Sequence, residues 1–125
     1  MKNTSCTCLM LASLLCTVPV AQAHHSFAMF DFEKVAQIEG VVREMRFAAP
    51  HVWLYVTVND PATGGAVEYG IEGAAPNTLL RAGWKRDSIR AGDRVKVTIH
   101  PLRTGEPGGS LMAISVNGRE LGNAP

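Results

Sequence analysis

The sequence predicts a mainly β domain: a small five-stranded barrel with one short helix between the third and fourth strands. Three observations predict it. Period-two alternation of apolar and polar residues recurs in separate short stretches, as half-buried strands require. Clusters of Gly, Pro, Asn and Asp separate those stretches. The period changes once, between the third stretch and the fourth.

The clearest strand is the second, from His51 to Val58. Val52, Leu54, Val56 and Val58 point one way and need a core. His51, Trp53, Tyr55 and Thr57 point the other way. A solvated row usually carries Lys, Glu or Ser, so this one is either covered by another segment or forms a binding surface.

The first strand is expected from Val35 to Phe47. Its alternation slips at Gly40-Val41-Val42, where a bulge or bend is expected. Asn59 to Gly65 is dense in turn formers and closes a hairpin. The third strand runs from Ala66 to Glu72, with Val67, Tyr69 and Ile71 toward the core and Glu68 and Glu72 outside. Pro76 to Gly83 reads as the short helix, with Asn77 as N-cap and Gly83 as the stop. Trp84 is expected near the barrel end. Arg94 to His100 is the fourth strand, with Val95, Val97 and Ile99 inward. After the Gly/Pro loop from Pro101 to Gly109, Ser110 to Val116 is the fifth, with Met112, Ile114 and Val116 inward. Asn117-Gly118 is a tight-turn pair.

Strand-strand-strand-helix-strand-strand is the order of an OB-like barrel, in which one long bent first strand serves both halves. A small β-sandwich is the competing architecture. On an OB-like barrel the outer face of strands two and three commonly binds ligand, which makes Trp53 and Tyr55 candidate ligand-binding residues.

Residues 1–23 read as a signal peptide. Lys2 precedes an apolar run from Leu9 to Val20, and Ala21-Gln22-Ala23 supplies a small-x-small cleavage site. That run is too short for a permanent membrane span. Cleavage after Ala23 leaves a single domain, residues 24–125, in the periplasm or outside the cell. Cys6, Cys8 and Cys16 all lie in the leader, so the mature chain has no thiol or disulfide. Without Lys2 the mature chain carries 11 Lys and Arg against 11 Asp and Glu. The segment from Arg81 to Arg103 holds seven basic and two acidic residues. Export argues against nucleic acid as its partner, and a solvated basic face is the better reading.

Several motifs together carry a resemblance: His24-His25-Ser26-Phe27 after the leader, Gly40-Val41-Val42, Pro50-His51, Pro76-Asn77 through Gly83-Trp84, Gly92-Asp93-x-Val95 and His100-Pro101. The chain resembles a family of small exported bacterial proteins of uncharacterised function. That pattern prefers Asn before Pro-His, where this chain has Ala49. The resemblance implies export and a small β-rich domain, and no activity.

Four histidines survive removal of the leader. If His24 is the mature terminus, its α-amine and ring nitrogen chelate one metal ion, and a further imidazole from His25 or His51 completes a nitrogen set suited to copper. The amine titrates near ~7.7–8.0 and imidazole near ~6.5, so both can be neutral donors around pH ~7 to 8. His24, His25 and His51 are thus candidate metal ligands, with Glu68 or Glu72 behind them. Equally, each histidine could be a surface or backbone-bonding residue. There is no Gly-x-Ser-x-Gly elbow, no His-Glu-x-x-His and no phosphate loop. An enzyme is not expected. The readings left open are a copper-binding protein, a module that binds a small ligand, and an accessory subunit held by an envelope protein.

Overall fold

A computed structural model describes residues 25–122, with side chains from residue 27 onward. Residues 1–24, with Cys6, Cys8 and Cys16 among them, lie outside the described residues. The chain folds as α1 (His25–Ala28), β1 (Ala36–Arg46), β2 (Trp53–Asn59), β3 (Ala66–Glu72), α2 (Pro76–Arg81), β4 (Arg94–Pro101), β5 (Gly108–Val116) and β6 (Arg119–Glu120).

Strands β1 to β5 close an OB-like barrel with α2 between β3 and β4. The long first strand serves both halves, as expected: Ala36 to Val41 pair with β4, and Val41 to Arg46 pair with β2. Two features let it turn. Gly40 passes so close to β2 that a Cβ there would lie 2.3 Å from the Thr57 carbonyl oxygen. The bulge itself falls at Arg43 rather than within Gly40-Val41-Val42, because Val42 pairs with Val56 and Glu44 with Tyr55. Closure comes from a short parallel pairing of β3 with β5, through Gly70–Gly108, Ile71–Gly109 and Glu72–Ser110. Only glycine fits at Gly109, where a Cβ would meet the His100 carbonyl oxygen at 2.4 Å.

The inward rows fill the barrel. Val42, Val52, Leu54, Val56, Ile71, Val95, Val97, Ile99, Ile114 and Val116 are all buried there. Each buried Val, Leu or Ile contributes roughly 1.5–3 kcal/mol relative to exposure. One expected inward residue is displaced. Thr98 pairs with Ala113 and Ile99 with Leu111, so Met112 is the extra residue of a bulge. Leu111 packs on the core in its place. A bulge inserts one residue, so every position beyond it changes face.

Helix α2 is capped differently from the sequence expectation. Its N-cap is Ala75, which makes no side-chain cap bond, and Pro76 occupies the first turn. Proline lacks only an N–H that has no helical partner there, so it starts the helix and moves the start ahead of Asn77. The stop is as expected. Gly83 has φ 90°. The Gly83 N–H donates to Leu80 O at 3.1 Å and the Trp84 N–H to Leu79 O at 3.0 Å, a Schellman closure. It brings buried Leu79 and Trp84 together over the barrel end. The Trp84 indole N–H donates to Gly122 O at 2.8 Å. Beyond β5, Asn117 and Gly118 form the expected tight turn, with φ 49° and 82°. They lead into β6, an addition to the expected elements.

The amino-terminal segment is strapped to the barrel. Phe30, 3 % exposed, bridges to Leu102. The Asp31 N–H donates to Pro101 O, and the Arg103 N–H donates to Met29 O, both at 2.9 Å. Phe27 and Phe32 remain largely exposed, so Phe30 is the anchor among the three.

Candidate functional site

The outer row of β2 is half-buried, and its neighbours explain why. Trp53 and Tyr55 stack with centroids 6.4 Å apart and planes 21° off parallel. They lie beside Gly70 on β3: a Cβ there would touch Tyr55 Cε1 at 3.8 Å and Trp53 Cζ3 at 3.9 Å. The two rings therefore cover backbone that Gly70 leaves bare. Two arginines of β1 approach the same tyrosine, with the Arg43 and Arg46 guanidinium carbons 4.9 and 5.0 Å from its centroid.

Carboxylates hold those arginines. Arg43 forks onto Glu68, and Arg46 Nε donates to Glu44 at 2.7 Å. The Arg46 bond holds the Glu44 carboxyl below its usual range, and Glu68 raises the Arg43 guanidinium further. Sequence alternation did not single out Arg43 or Arg46. The bulge at Arg43 brings both near Tyr55, and the slip of alternation just before it showed a bend but not which side chains it would bring there.

The second cluster forms where the end of β3 meets the turn into β2. His51 lies just before β2, not within it. The backbone pairing nevertheless continues there: Val52 N–H donates to Ala74 O at 3.1 Å and Gly73 N–H to Val52 O at 2.8 Å. This fixes His51 against Glu72, whose carboxylate contacts His51 Nδ1. Glu72 was expected on the outer side of β3. It stands on the outer face, but its side chain is only 8 % exposed, whereas that of His51 is 33 % exposed. Period-two alternation gives the face but not what lies over it. Here Ser110 of β5 pairs beside Glu72, and the amino-terminal segment comes close. A cleft of about 240 Å³ results, lined by Phe27, Phe30, His51, Glu72, Ser110, Leu111 and the start of α2.

His100 has a different place. Its Nδ1 donates to Lys34 O at 2.8 Å, and the Phe32 ring packs against it at 5.0 Å. It fastens the amino-terminal strap. Of the other metal candidates, His24 lies outside the described residues, and so does the His25 side chain. Among the described residues, no group of three His, Cys, Asp or Glu side chains is arranged to hold a metal ion. Nor is any helix among them long and apolar enough to cross a membrane.

No curated protein matches the chain significantly. A family described as "Family of unknown function (DUF6152)" matches residues 11–112, which is most of its length. The chain therefore belongs to this uncharacterised family.

Proposed function

We propose that the protein is an exported metal-binding protein, periplasmic or secreted, that holds copper through His24, His25 and His51. The observation that carries the reading is the cleft beneath the amino-terminal strap. His51 lines it together with Phe27, which follows His24 by three residues. A strap anchored by Phe30 carries Phe27 to the cleft, and in this proposal His24 and His25, just before it in sequence, supply the further donors. The donor chemistry agrees, since an amine and imidazoles form a nitrogen set that suits copper ahead of harder cations. The leader pattern of residues 1–23 supplies the route of export and the free His24 amine.

The test is a copper(II) titration of protein purified from the periplasm, its terminus checked by intact mass. Two controls are His51→Ala and a form with one extra residue before His24. Sub-micromolar one-to-one binding that both controls weaken supports the site. Tight binding indifferent to His51→Ala removes His51 from it.

A second reading is favoured by the stacked Trp53 and Tyr55 on the outer face of β2: a module for a small ligand or an envelope protein, without metal. A ligand there would stack on Trp53 and compete with Arg43 and Arg46 for Tyr55. Protection of tryptophan fluorescence from a soluble quencher by a bound ligand would favour it over the metal site.

A further inference from the structure

The two rings on the outer face of β2 are not equivalent. Arg43 and Arg46 both lie on Tyr55, and among the described residues no guanidinium lies on Trp53. Trp53 is only half-buried, so an indole surface stays open beside a charged rim. That rim is balanced. Arg43 bonds twice to Glu68 and once to Glu44, and Arg46 bonds twice to Glu44. These bonds use about half of the N–H groups that two guanidinium groups carry. They also leave lone pairs on both carboxylates. The four side chains are between 35 % and 59 % exposed, so the spare donors and acceptors reach solvent. Glu72, further along the same row of β3, is nearly buried against His51 and adds little exposed charge.

We infer that this face binds a neutral glycan chain, with one sugar ring stacked on Trp53 and hydroxyls bonded to the network of Arg43, Arg46, Glu44 and Glu68. The inference rests on the second reading of function, in which the outer face of β2 takes a ligand, and it names the class of that ligand. A sugar ring has a face of C–H groups that packs on an indole, and each of its hydroxyls both donates and accepts. A rim with spare donors, spare acceptors and no net charge matches that pattern. A polyanion would gain Arg43 and Arg46 but meet Glu44 and Glu68, and a cationic chain would meet the reverse. A wholly apolar ligand would strip water from the ion pairs and give no bond in return. The face also lies open across β1, β2 and β3. Strands about 4.8 Å apart make it roughly 10 Å wide, room for more than one sugar ring. A chain that runs on past the sheet fits this better than a single sugar, which calls for an enclosed pocket.

The test is a titration of ¹⁵N-labelled mature protein followed through its indole N–H signals. Maltohexaose, cellohexaose and chitohexaose are the neutral chains, glucose is the single sugar and dextran sulfate is the anionic chain. The chain has two tryptophans, and Trp84, buried and bonded to Gly122 O, is the internal reference. At least one neutral chain should shift the Trp53 signal and leave that of Trp84 in place. Glucose at the same concentration of rings should not. Trp53→Ala should weaken binding by about 30-fold, as loss of a central tryptophan does. Arg43→Gln, at an exposed position, should weaken it as well. An undisturbed Trp84 signal shows that each variant is folded. The inference is overturned if no neutral chain moves the Trp53 signal, if Trp53→Ala binds equally well, or if glucose acts as strongly as the chains. Binding of dextran sulfate alone also overturns it, yet keeps the face as a ligand site, so the second reading survives that failure.

Discussion

Replacing Leu79 by alanine probes the packing at the barrel end, and its neighbour provides the control. Leu79 is 0 % exposed and Leu80 is 44 % exposed in the same turn of α2. Both substitutions change helix propensity equally, so the difference between them reports burial alone. Truncating a fully buried leucine costs its transfer energy plus a cavity term, about 2–5 kcal/mol. Leu79 is clasped between Trp84 and the barrel core, which limits collapse of the cavity. We therefore expect about 3 kcal/mol for Leu79→Ala and less than about 0.5 kcal/mol for Leu80→Ala. In a domain of this size 1 kcal/mol moves Tm by about 4–8 °C. Leu79→Ala should then lower Tm by roughly 12–24 °C. Urea unfolding followed by tryptophan fluorescence measures both, with an unchanged m value confirming that the unfolding reaction is the same. Equal losses for the two variants would refute the assigned inward face of α2.

Three further outcomes follow from particular contacts. Leu111→Ala should destabilise more than Met112→Ala in the same urea assay, and the reverse order would remove the bulge from β5. Gly70→Ala should be neutral or slightly stabilising, because its Cβ meets the two aromatic rings at ordinary contact distance; Gly109→Ala should cost about 1–3 kcal/mol through its clash with the His100 carbonyl, and similar thermal shifts for both would contradict the closure geometry. The Asp93 carboxyl is held below its usual range, first by the Arg90 backbone N–H and then by the Asn117 amide. A carboxyl lowered on folding gives stability that is present above its unfolded pKa of about 3.9 and is lost as pH falls through the folded value. Asp60 and Glu44 act in the same direction. Stability should thus fall below about pH 4, and Asp93→Asn should flatten that fall; matching acid slopes in calorimetry would count against it.

Much of the barrel was legible because burial in a closed sheet writes itself as alternation. β2, β3 and β4 are short and regular, and Val56, Ile71 and Val97 fell on the expected side. The stop at Gly83 was legible for a similar reason, since a left-handed residue after a helix has few substitutes for glycine. Positions beyond a bulge were not legible. The slip of alternation at Gly40-Val41-Val42 lay beside the bulge at Arg43 without locating it, and no change of residue type marked the one at Met112. The candidate cleft was partly legible. His51 and Glu72 were both singled out, but Glu72 was expected on the outside, because its burial depends on β5 and the amino-terminal strap. Such covering segments are distant in sequence and leave no periodic trace. The aromatic row had the clearest hidden cause: Gly70, fifteen residues after Tyr55, lacks the side chain that the rings replace.

The most direct test of the proposed function is a crystal structure of the mature protein grown with one equivalent of copper(II). The proposal predicts a single copper ion at the cleft, bound by His51, by His25 and by the amine and ring of His24. Copper bound elsewhere, or at a terminus that leaves His51 free, would contradict it.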